Sequence, residues 1–88
     1  MKVSELIYYN NLEHNGHKQL DLTGIFITLD DALIMCRELE ELTDGDYLLE
    51  VHPDYSASIY AMNYWQLGEH PLGHTNKLMV SFNLKKGE

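Results

Sequence analysis

Apolar and polar positions change period along this chain, and the changes divide it into elements. Near the end, Leu78, Val80, Phe82 and Leu84 alternate with Met79, Ser81 and Asn83. A period of two belongs to a strand with one buried face, so Lys77 to Lys85 is the clearest strand. Between Leu29 and Leu42 the period is helical. Leu29, Ala32, Leu33, Cys36 and Leu39 fall on one face, flanked by Met35 and Leu42. Asp30, Asp31, Ile34, Arg37, Glu38 and Glu41 fall opposite. Thr28 is placed to cap this helix, and Asp30 and Asp31 suit its positive end. Gly45, within Thr43-Asp44-Gly45-Asp46, is the expected left-handed residue that stops it.

The first third reads as a hairpin. Val3 to Leu12 holds the β-formers Ile7, Tyr8 and Tyr9, and Asn15-Gly16 follows. Asn-Gly suits a two-residue turn because both residues tolerate positive φ. Lys18 to Thr28 would return, collecting Ile7, Tyr9, Leu20, Leu22 and Phe26 on one face. Leu6, Tyr8, Asp21, Thr23 and Ile25 would take the other. Tyr47 to His52 is a short strand ending at Pro53. Ser56 to Leu67 fits a strand by its Ile59, Tyr60, Tyr64 and Trp65, with a helix capped by Asp54 as the alternative. Gly68 to Asn76 reads as a loop.

The order is β-β-α-β-(β)-β. The fold class expected is α+β: a single small domain, residues 1–88, with a mostly antiparallel sheet of four to five strands and one helix packed on one face. At 88 residues the chain has room for one core. A domain of this size buries roughly 60–65% of its unfolded surface. The lone cysteine, Cys36, rules out an internal disulfide framework. No apolar run approaches the ~20 residues of a membrane span. The start Met1-Lys2-Val3-Ser4-Glu5 lacks the pattern of a signal peptide. A cytoplasmic location is the expectation.

Charge changes the picture more than composition does. The net charge is -8. That argues against direct nucleic-acid binding, which leaves a basic footprint, and against an anionic membrane surface. Asp30, Asp31, Glu38, Glu40, Glu41, Asp44, Asp46, Glu50 and Asp54 are nine acids facing one base, Arg37, so this stretch carries the whole excess. The remaining five acids and five bases cancel. Glu40 and Glu41 in the last helical turn oppose the helix dipole, at about 0.3–1 kcal/mol each in low salt. A solvated helix face is the plain reading. The sharper one is an anionic surface for a basic partner. Ile34, apolar within a ring of acids, resembles an interface core with its polar rim.

Other chemistry is weaker. His70 and His74 form an H-x3-H pair, but Pro71 and Gly73 argue against the helix that spacing needs for zinc. His52 and Asp54 are conceivable further ligands. Cys36, on the core face, reads as an inert thiol rather than a nucleophile. Carboxylates on an exposed helix lack the desolvation that acid–base catalysis requires. The isolated glycines make no phosphate cradle. Tyr55, Tyr60, Tyr64 and Trp65 lack the accompanying lysines and arginines of a single-strand platform.

The expected function is therefore a non-enzymatic, acidic protein-binding module without cofactor: an inhibitor, immunity factor or nucleic-acid mimic, similar in character to small acidic phage antidefence proteins. It would occlude a basic surface of a partner, such as a nucleic-acid-binding protein. The contact residues expected are Asp30, Asp31, Ile34, Glu38, Glu41, Asp44 and Asp46. One alternative is a metal-binding domain or enzyme using His52, His70 and His74. Another is an assembly subunit, such as a homodimer, joined through the aromatic strand.

Overall fold

A computed structural model describes residues 2–14, 16–64 and 75–85. Its elements are α1 (Val3–Glu13), β1 (Leu20–Ile27), α2 (Leu29–Thr43), β2 (Tyr47–Val51), β3 (Ser56–Tyr64) and β4 (Thr75–Leu84). They form one small α+β domain. The sheet order is β1-β4-β3-β2, with β1 parallel to β4 and the other two pairings antiparallel. The expected sheet of mostly antiparallel strands and its packed helix are present, and a second helix joins them.

That second helix replaces the first strand of the expected hairpin. Glu5 accepts a hydrogen bond from the Lys2 backbone N–H at 2.8 Å, one half of a capping box. At the other end the Gly16 N–H donates to the Asn11 carbonyl at 2.9 Å, closing over the last turn of the helix. Gly16 has φ +75°. The glycine read as part of a hairpin turn thus lies just past the end of a helix, where its conformational freedom is equally suited. The β-forming Ile7, Tyr8 and Tyr9 do not prevent this. Ser4 and Ile7, three residues apart, are both buried, and tertiary burial outweighs strand propensity.

In α2, Thr28 Oγ1 accepts from the Asp31 N–H at 3.1 Å as expected of a cap. The left-handed residue at the end is Asp44 (φ +57°), one position before the glycine expected there. The N–H of Asp44 still closes onto the Glu40 carbonyl at 2.8 Å. Ala32, Met35, Cys36 and Leu39 are buried. Leu29, Leu33 and Leu42 are exposed, so the buried stripe is narrower than the apolar pattern suggests.

The core joins those residues and Ile7 to Ala57, Ile59 and Ala61 of β3 and Val80, Phe82 and Leu84 of β4. Two irregularities revise the expected alternation. Between Ile59↔Val80 and Tyr60↔Leu78, β4 carries one extra residue, and Met79 is buried where a polar-face position was expected. In β1, Leu22 pairs with Phe82 but Phe26 pairs with Asn83, so Thr23, Gly24 and Ile25 are looped out. The Asp21 carboxylate accepts from the Thr23 N–H and hydroxyl at 2.9 and 2.7 Å. Gly24, at φ +94°, donates its N–H to Asn83 Oδ1 at 2.7 Å. The bulge turns Phe26 outward, 60% exposed, instead of placing it with Leu20 and Leu22.

β3 is a strand, as favoured, and lies in the sheet interior. Trp65, and nearly all of the stretch read as a loop, lie outside the described residues, whereas Thr75 and Asn76 already belong to β4.

Candidate functional site

The acids of α2 separate into two groups by what they touch. Glu38 faces α1. Its carboxylate accepts from the buried Ser4 hydroxyl at 2.8 Å and pairs with the Lys2 ammonium at 3.0 Å. The Lys2 hydrogen bond, with help from Ser4, lowers the Glu38 pKa below the usual carboxylate value, and the Glu38 contact raises that of Lys2. Glu40 reaches over the sheet edge, and its Oε2 accepts from the Tyr47 N–H at 3.2 Å. These two carboxylates join elements of the fold. Farther along, Asp54 accepts from the Ser56 N–H and hydroxyl at 3.0 and 2.6 Å, which lowers its pKa in the β2–β3 turn.

Asp30, Asp31, Glu41, Asp44 and Asp46 are exposed. Of the seven contact residues expected from sequence, six are thus exposed, counting Ile34 at 46%, and Glu38 is tied to α1. They do not form one compact patch. Asp31 and Asp44 are thirteen positions apart, about 20 Å along a helix. Asp30, Ile34, Glu41 and Asp44 follow one outward stripe, which also holds Arg37. Asp31 and Glu38 turn toward α1.

At the start of α2 a groove of about 400 Å³ lies among α1, α2 and the end of β1. Val3, Phe26 and Ile34 line it and are each partly exposed, while Asp31 and Lys85 add opposite charges. The sequence showed Ile34 inside its acidic ring. It hid Val3 and Phe26, because one was read as a strand residue and the other as core. A second depression, about 490 Å³, runs along α1 between Leu6, Tyr9, Leu12 and Leu20.

His52 is the described member of the expected histidine set. His70 and His74 lie outside the described residues. Its Nε2 is 3.2 Å from Ser58 Oγ, which is 3.4 Å from Ser81 Oγ. Glu50 Oε1 lies 3.9 Å from that same Nε2. A serine–histidine–carboxylate relay uses the two ring nitrogens separately, so this row does not have relay geometry. Among the described residues, no three His, Cys, Asp or Glu side chains converge on a metal-sized site. Cys36 is buried, and burial, aided by the Glu40 charge, pushes its pKa to about 11. Such a thiol stays protonated at neutral pH.

No helix among the described residues is long and apolar enough to cross a membrane. No protein-family model, curated protein or solved structure matches the chain.

Proposed function

We propose that this domain is a protein-binding module that covers a basic surface of a partner with the outward stripe of α2, acting as an inhibitor, immunity factor or nucleic-acid mimic. One observation carries the reading. The whole negative excess lies between Asp30 and Asp54, and Asp30, Asp31, Glu41, Asp44 and Asp46 there are exposed. Carboxylates spaced along about 20 Å of helix present a row of charge to a partner groove, where opposite fields speed association. Ile34, beside exposed Val3 and Phe26, supplies the apolar centre that charge alone does not.

The division between structural and exposed acids sets the experiment. Asp30, Glu41 and Asp44 are reversed to lysine together, leaving Glu38 and Glu40 in place. The two proteins are then used as bait in host extract at low and high salt. A partner retained by the native chain is expected to be lost by the variant and by high salt. Equal retention by both baits sinks the reading.

A further inference from the structure

β2 is the edge strand of the described sheet, and beyond its first residue no described strand bonds its outward backbone. The Met62 N–H bonds to the Asp46 carbonyl and the His52 N–H to the Ser56 carbonyl. In an antiparallel ladder this fixes the parity: even-numbered β2 residues bond to β3, and odd-numbered ones point away. The Tyr47 N–H points away and is taken by Glu40. The backbone groups of Leu49 and Val51 point the same way, and no other described strand pairs with them.

Beside this edge α2 carries unused apolar surface. Leu29, Leu33, Cys36 and Glu40 share a helical stripe, spaced four, three and four residues apart. Glu40 touches Tyr47, so the stripe faces β2. Leu33 lies seven residues before Glu40, about 10 Å back along the helix. Leu49 and Val51 lie about 7 and 13 Å beyond Tyr47 along the strand. α2 and β2 are joined by a short connection and touch one another, so a strand running back along the helix would bring Leu33 beside the open part of the edge. Leu29 is 49% exposed, Leu33 43% and Val51 51%.

We propose that the β2 edge, overhung by Leu29 and Leu33, takes up an extended, lysine- or arginine-bearing segment of a partner protein as an added strand. Backbone bonds to Leu49 and Val51 would hold it, as in other strand additions. Alternate side chains would face Leu29 and Leu33, and the intervening ones the Glu50 side. Charge selects the occupant. Asp44, Asp46, Glu50 and Asp54 surround the edge, and no lysine or arginine occurs between Glu38 and Asn76. A second copy pairing edge to edge would oppose its own acids, which disfavours a dimer here. The inference rests on the acidic-surface reading and gives the partner segment a conformation.

The probe is a seven-residue peptide alternating lysine and valine, titrated into the labelled protein while backbone amide signals are followed. Its glutamate-for-lysine counterpart is the control. Two further versions carry backbone N-methyl groups, one on the valines and one on the lysines. The lysine peptide is expected to shift the Leu49 and Val51 amides and slow their exchange, and the glutamate peptide to leave them unchanged. One N-methylated version is expected to bind at least roughly tenfold more weakly, because an added strand turns only alternate amides to the edge. Equal binding by both N-methylated versions overturns strand addition. Shifts confined to Asp30, Ile34 and Glu41 overturn it but keep the acidic-surface reading. No shift with any basic peptide counts against both.

Discussion

Ser4 and Glu38, 34 positions apart, meet in a 2.8 Å hydrogen bond between a buried hydroxyl and a carboxylate. The same carboxylate holds Lys2. One acid of a helix face that the sequence reads as solvated is therefore a polar link between the two helices. Replacing it with alanine leaves the Ser4 hydroxyl buried without that acceptor, the costly way to lose a hydrogen bond. Glu38→Ala is expected to lower the thermal midpoint more than Glu41→Ala, whose carboxylate is exposed. Parallel melts decide this, and equal midpoints would contradict it.

The pH dependence of this link has a definite sign. Folding lowers the Glu38 pKa, as it does those of Asp21 and Asp54. Their contribution is present above the unfolded carboxylate values and is lost as pH falls through the folded ones. Lys2, raised by folding, contributes fully below its unfolded value and loses that only in strong alkali. Stability should therefore decline below about pH 4.5 on this account. Relief of repulsion among the exposed acids works the other way. Glu38→Gln isolates the contribution of this carboxylate: the native-minus-variant difference in unfolding midpoint should shrink as pH falls. A constant difference from pH 7 to pH 3 would contradict it.

Gly24 tests the bulge. A Cβ there would meet nothing within 4 Å, so any cost of Gly24→Ala comes from φ +94° alone. About 1–2 kcal/mol of destabilisation is expected. Denaturant melts showing no loss would mean that β1 pairs without the bulge.

Asp44 tests the helix stop. It holds a left-handed φ of +57° and sits as an anion at the negative end of α2. Asp44→Gly relieves both and should raise stability by about 0.5–1.5 kcal/mol. The neighbouring Gly45→Ala should not stabilise comparably, because Gly45 is not the left-handed residue. The reverse ranking would put the stop at Gly45.

Cys36, buried with its pKa near 11, should react slowly with a thiol reagent at neutral pH and rapidly once the chain is unfolded. Rapid labelling of the native protein would contradict the packing of α2.

Periodicity carried the parts of the fold where local pattern and tertiary burial agree: α2, β2, β3 and most of β4. It failed where one local signal serves two structures. Gly16 suits a hairpin turn and a helix stop alike, and only the packing of Ser4 and Ile7 against the rest of the chain selects the helix. It failed again at Phe26, whose facing is reversed beyond the β1 bulge, and at Met79, the extra residue that the β4 bulge inserts. The concentration of charge was legible from counting. Its division was not: Glu38 and Glu41 share a predicted face, and only the position of α1 makes the first structural and leaves the second exposed.

That division gives the most direct measurement. The affinity of the captured, purified partner is compared for two variants: Asp30, Glu41 and Asp44 reversed to lysine, and Glu38 with Glu40 changed to glutamine. Thermal midpoints are measured beside the affinities. The first variant is expected to lose binding with its melt nearly unchanged, and the second to keep salt-sensitive binding while melting earlier. Binding that follows Glu38 and Glu40, or survives reversal of the exposed acids, would contradict a partner surface on the outward stripe of α2.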